Sequence, residues 1–135
     1  MGLLTKDIQS KILSWLLINS TFPVNPPTQP VRMHLLTSNG TSTAAGTEVV
    51  GNSYEPETVS WILSGTPTEA VATNGAPVSF SSLDSENVIT VVGIELWDSS
   101  TTPQRVAFAS LDYPVSVGPG QSFTIATGQI KVKLI

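Results

Sequence analysis

The chain has 135 residues and a net charge of −4, and 12% of it is charged, about half of the roughly 25% usual in globular domains. That length is enough for one domain with a self-standing core, and the absence of Cys excludes disulfides, thiolate metal sites and thiol nucleophiles. The six basic residues, Lys6, Lys11, Arg32, Arg105, Lys131 and Lys133, form no dense cluster, which argues against a nucleic-acid partner.

Residues 1–20 predict a helix. Thr5 or Asp7 can cap it, and Ile8, Ile12, Trp15 and Leu16 recur at helical spacing. Leu13, Leu17 and Ile18 widen that stripe until the second half is apolar nearly all round, so the helix needs cover on more than one side. Packing on its own domain and docking onto another subunit both satisfy that need. The apolar run Ile12 to Ile18, broken by Ser14, falls far short of the roughly 20 residues of a membrane span. It also lacks the basic start and cleavage site of a signal peptide, so no membrane partner is expected. Asn19 to Pro30 then carries four prolines. Proline fixes φ and lacks a donor, which predicts an extended arm. The chain divides accordingly into 1–30, helix and arm, and 31–135, a β domain.

From Val31 the period changes to two. In "VRMHLLT" Val31, Met33 and Leu35 share one face, with Arg32 and His34 on the other. "TVSWIL" places Val59, Trp61 and Leu63 together, and "PVSFSS" repeats the pattern with Val78 and Phe80. "VITVVGIELWD" is apolar on both faces through its middle, the mark of a central strand. "QRVAFASL", "QSFTIAT" and "QIKVKLI" follow, the last with Ile130, Val132 and Leu134 inward and Lys131 and Lys133 outward. Turn signals separate them at Asn39-Gly40, Gly51-Asn52, Asn74-Gly75, Ser99-Ser100, Gly118-Pro119-Gly120 and Thr127-Gly128. About seven short strands so punctuated predict an all-β antiparallel sandwich, jelly-roll or immunoglobulin-like, with one N-terminal α-helix.

Chemistry is sparse. His34 is the only histidine, expected on the less buried face of its strand. The nearest approach to a nucleophile elbow, "GNSYE" at Gly51, lacks the closing glycine and does not sit between strand and helix. Hydrolysis is set aside, and substituting His34 is expected to change nothing measurable. The pairs Glu55/Glu57 and Asp84/Glu86 are spaced to share a hard cation such as Ca²⁺, yet neither has the Asp-x-Asp-x-Asp-Gly loop, so solvated turn charges are expected. No glycine pattern cradles phosphate. The expected metal and cofactor complement is none. Tyr54 in a turn and Trp97 at a strand end are the candidate ligand-binding residues, as rings that stack on sugar faces, with core or rim packing the alternative. In "GTEVVGNSYEPETVSWIL", Gly46 and Gly51 permit turns, Pro56 stiffens a strand entry, and Val59, Trp61 and Leu63 anchor it.

The segments "LTKDIQSKILSWLL" ending in "NSTF", "VRMHLLTSNGT", "AGTEVVGNSYEPETVSW", "APVSFSS", "ITVVGIELWDSS", "AFASLDYPVSVGPGQSFTIATG" and "QIKVKLI" occur in that order over nearly the whole chain. Their order resembles a family of small virion proteins of tailed bacteriophages, the tail-fibre-like or head-decoration proteins. The most specific parts are G-T-E-V-x-G-x-S-Y with V-x-W, and the closing G-x-S-F-x-I-x-x-G-x-I-x-V-x-L. The resemblance implies a structural component of the phage particle, made in the host cytoplasm, without enzymatic activity, exposed on the virion and assembled as a symmetric oligomer. The proline-rich "PVNPPTQP" departs from it in length and lets the helix reach a neighbouring subunit.

Two placements follow. One is a capsid decoration, or cement, protein that binds the major capsid protein and its own copies, most simply as a trimer, through Ile8, Ile12, Trp15, Leu16 and Leu17. The other is a tail-fibre or tail-tip component that binds a host receptor or carbohydrate through Tyr54 and Trp97.

Overall fold

Alternation after Val31 does produce strands. In the computed structural model, which describes residues 3–18, 27–66 and 69–134, the chain runs β1 (Leu3–Leu4), α1 (Lys6–Leu17), β2 (Arg32–Ser38), β3 (Thr47–Glu48) and β4 (Glu57–Thr58). It continues with β5 (Trp61–Thr66), β6 (Glu69–Asn74), β7 (Val78–Phe80), β8 (Ile89–Trp97), β9 (Arg105–Val117), β10 (Phe123–Ile125) and β11 (Lys131–Leu134). The main sheet has the order β1-β9-β8-β2-β3, with β4 also on β2; β11-β6-β5 and β10-β7 form two smaller sheets. Every pairing is antiparallel. Met33 and Leu35 of β2, Val91 and Leu96 of β8, Phe80 of β7 and Phe123 of β10 lie buried in one cluster, and Trp61 of β5 and Val132 of β11 pack against it. The core thus draws on all three sheets, which makes the molecule the expected antiparallel sandwich with a single N-terminal helix.

The departures have local causes. Residues 3–4 pair with β9, Leu3 opposite Phe108 and Leu4 opposite Ala107, so the helix begins only after a short strand. Leu63, expected inward, is 79% exposed, because the β5–β6 hairpin carries it beyond the cover of the main sheet. In β9 the register passes from Gly93↔Ser110 to Val91↔Val115, so Leu111 to Pro114 bulge opposite Val92 alone. A bulge is where a strand tolerates proline, and this one hides the second half of β9 from a periodicity count. The side chains of Leu134 and Lys133, and residues 19–26 of the proline arm, lie outside the described residues.

Glycine serves close approach more than turning. A Cβ at Gly46 would lie 2.4 Å from the Ser38 carbonyl oxygen, and one at Gly51 2.1 Å from that of Leu83. The positive φ angles occur elsewhere, at Gly120 and Gly128. Gly93 is the tightest case, with a Cβ placed 1.9 Å from Asn39 Oδ1 and 2.8 Å from the Ala109 oxygen. We expect Gly93→Ala to lower the urea midpoint, costing about 1–3 kcal/mol as an overpacked site does; an unchanged midpoint would mean that the loop after β2 does not press on β8.

Candidate functional site

The helix is mounted at one end of the sandwich by bonds its sequence makes available. Thr5 is the N-cap: its Oγ1 accepts from the Ile8 N–H at 3.3 Å and donates to the Arg105 carbonyl at 2.9 Å. Its own N–H donates to Val106 O, and that of Lys6 to Ser42 O, both at 3.0 Å. Gln9 Nε2 donates back to Leu4 O at 2.8 Å, and Asp7 pairs with Lys11 one turn on at 2.9 Å. The Lys11 ammonium also meets the Gln104 amide oxygen. A threonine cap and an acid-before-base pair at that spacing each favour helix locally. The end of the proline arm is fixed beside this mount: Thr28 N–H donates to Asp98 Oδ2 at 3.0 Å, and Ser99 N–H to Thr28 O at 2.9 Å. Both the root of α1 and Thr28 are therefore bonded to one end of the sandwich: β9, the loop after β2 and the turn between β8 and β9.

Past this mount the helix leaves the body. Ile8 is buried within its own chain and Ile12 is half-buried, so the sequence-predicted contact set divides. Trp15 is exposed over nearly half its surface, and Leu13, Leu16, Leu17 and Ile18 are 56%, 61%, 78% and 81% exposed. The stripe's first turn packs inward and its last two turns face solvent.

The second constellation lies on the outer face of the main sheet, where the loop after β2 folds back. Glu95 of β8, set among apolar residues from Val91 to Trp97, is buried; its Oε2 accepts from Arg105 Nη1 at 3.0 Å and from the Gly46 N–H at 2.8 Å. Trp97 Nε1 donates to Oε1 at 3.3 Å, and Arg105 Nη2 donates to Thr41 O at 2.6 Å. The ion pair thus straps residues 41–46 onto the sheet, and that loop in turn receives the helix through Ser42. Sequence reading missed Glu95 and Arg105, although a lone glutamate inside "VVGIELW" was a signal.

Next to it, His34 Nδ1 lies 2.8 Å from Glu48 Oε2, and its ring sits 5.6 Å from that of Trp97. The hydroxyl of Tyr54 donates to the same Glu48 oxygen at 2.6 Å and accepts the Leu35 N–H at 3.0 Å. Neither β3 nor β4 reaches that N–H of β2, so Tyr54 completes the ladder while its ring packs 6.2 Å from Phe80. Burial first, and then the hydrogen bond to Glu48, raise the Tyr54 phenol far above its ordinary range. Tyr54 and Trp97 are linked through Glu48 and His34, and each is engaged internally. His34 is less idle than its sequence position suggests, because Trp97 and Glu48 cover it.

Of the acidic pairs, Asp84 turns inward: it accepts from the N–H groups of Glu86, Asn87 and Asn52 at 2.8, 2.9 and 3.3 Å. Backbone donors where a cation would need open oxygens make it a loop anchor, and no cluster of three metal-ligating side chains exists among the described residues. Those donors, Glu86 first, hold its carboxyl below the usual range. At Asp98 burial opposes ionisation, but the N–H groups of Gln104 and Thr28 and the Ser100 hydroxyl outweigh it and lower the carboxyl as well. Burial is also the largest influence on His34 and, against the pull of Glu48 and Glu95, lowers it from 6.5.

The sign is the same for all three groups: the unfolded chain binds the proton more tightly, so stability is complete at high pH and falls as pH drops. We expect the urea midpoint to begin falling below pH 6.5, where unfolded His34 takes its proton, and to fall further below about 4, where unfolded aspartates do. His34→Gln should remove the upper part of that decline; a decline unaltered by it would assign the effect to another group.

A polar cleft of about 840 Å³ opens at the helix mount, walled by Thr5, Ser42, Thr43, Thr101, Thr102 and Arg105 among others. A smaller apolar cleft of about 190 Å³ opens beside Leu4 between the main and three-stranded sheets.

No curated protein matches this chain. A family model described as podophage GP4 fiber I protein gp80 matches residues 5–133, from the helix cap to the last strand. The match takes in the mounted helix, the arm and nearly all of the sandwich, and so the chain belongs to the podophage GP4 fiber I protein gp80 family, whose members are structural fibre proteins of tailed phages.

Proposed function

We propose that this chain is a building block of a tail fibre, joined to further copies of itself through the outer turns of α1. The family's description as a fibre protein supports this reading. The observation that carries the self-association is the exposure of Leu13, Leu16, Leu17 and Ile18 on a helix whose root is bonded to the sandwich. A helix pinned at its base and apolar at its tip gains stability only when something covers the tip.

Magnitudes limit what that cover is. Burying the exposed parts of those four side chains is worth about 4–8 kcal/mol per helix, at about 1.5–3 kcal/mol for each side chain fully covered. Association costs about 4–15 kcal/mol in lost freedom. One helix tip against a polar surface therefore leaves little or no surplus to hold two copies together. A second apolar surface, on the partner or on a second helix, widens that margin.

The placement is tested on purified particles. An antibody to the sandwich surface, imaged with intact virions, is expected to decorate the tail; decoration spread over the shell, with copy number in proportion to the major capsid protein, would return the protein to the capsid.

A further inference from the structure

We infer that the apolar cleft between the main sheet and the three-stranded sheet receives the tip of α1 from a second copy of this chain. The inference rests on the reading of α1 as the contact between copies, and adds the surface it meets.

Leu4, Val31, Trp61, Ala72, Val106 and Val132 rim the cleft, and Leu96 and Ala107 belong to its wall. All eight are apolar, whereas the cleft at the helix mount is lined largely by hydroxyls and charges. Its volume of about 190 Å³ is of the size of the roughly 150 Å³ cavity that accepts a benzene ring. One or two aliphatic side chains fill such a space, and Leu16 and Leu17 are available at the helix tip.

The helix of the same molecule does not fill it. Leu4 immediately precedes the Thr5 cap, so the cleft adjoins the root of α1. A helix of 12 residues holds its tip about 18 Å from its root at about 1.5 Å per residue. An α1 tip seated in the cleft therefore belongs to another copy, and the cleft supplies the second apolar surface that the tip alone lacks. Tip and cleft are different surfaces, so the contacts close reciprocally between two copies, close around a ring, or propagate as an open filament.

The chain has no cysteine, so introduced thiols report contacts cleanly. Two full-length single variants, Leu17→Cys and Ala72→Cys, are mixed under mild oxidation, one carrying a mass tag. A mixed disulfide is expected, formed at least tenfold faster than between Leu17→Cys and Val50→Cys, although Val50 is 91% exposed. No preference for Ala72→Cys would overturn the docking. Ala72→Trp, which fills the cleft, is expected to weaken assembly at least tenfold, and a fully assembled Ala72→Trp protein would also overturn it. If Leu16→Lys disperses the assembly while the Ala72→Cys trap fails, the helix contact stands and the cleft does not. A wild-type chain that is monomeric removes both.

Discussion

Arg105→Ala is expected to cost about 3–5 kcal/mol of folding stability, the penalty for stranding a buried charge. Glu95 is 2% exposed, and its carboxylate has no route to water once the loop of residues 41–46 lies over it. Removing the guanidinium deletes the charge partner of Glu95, the donor to Thr41 O and the ring contact in which Arg105 stands 5.3 Å over Phe108. Adding Glu95→Gln to that variant should recover at least half of the loss. A neutral amide still accepts from the Gly46 N–H but leaves no stranded charge. Urea unfolding of the single and double variants at pH 7 measures this, and a loss under about 1 kcal/mol for Arg105→Ala would mean that water reaches Glu95.

The second large effect belongs to Asn74. Its side chain is buried at the end of β6 and donates through Nδ2 to the carbonyls of Ala76 and Ala126, each at 3.0 Å, while Oδ1 accepts the Ile130 N–H at 3.0 Å. One amide therefore clasps the turn after β6 to the segment between β10 and β11. Asn74→Asp keeps the shape but turns an oxygen onto two carbonyl oxygens, and is expected to cost about 3–5 kcal/mol, more than Asn74→Ala at about 2–4. The order is the informative part. Thermal unfolding that ranks Asp as milder than Ala would show that the two carbonyls do not converge on that side chain.

Much of the sandwich was legible because alternation is a local signal. Val31, Met33 and Leu35 are buried with Arg32 exposed between them, as a period of two requires. The turns at Asn39-Gly40, Gly118-Pro119-Gly120 and Thr127-Gly128 fall between strands for the same reason. Leu63 shows where that signal stops: alternation says which residues share a face, and only the tertiary arrangement says whether anything covers it. Glu95 shows the converse. A carboxylate in a central strand contradicts burial until a loop from elsewhere supplies Gly46 and a later strand supplies Arg105. Tyr54, legible as an aromatic in a turn, gave no sign that it would satisfy the Leu35 N–H across a gap between β3 and β4. The helix was readable as over-apolar for a lone surface element. That its first turn packs inward while its tip stays bare depends on bonds from Thr5 and Lys6 to distant carbonyls.

The oligomer decides the account, and sedimentation equilibrium of the intact chain measures it. A discrete multiple of the monomer mass is predicted, falling to the monomer in a Leu16→Lys, Leu17→Lys variant that still melts cooperatively. An intact chain that sediments as a monomer, or a variant that keeps the full mass, would leave those side chains without the role given to them.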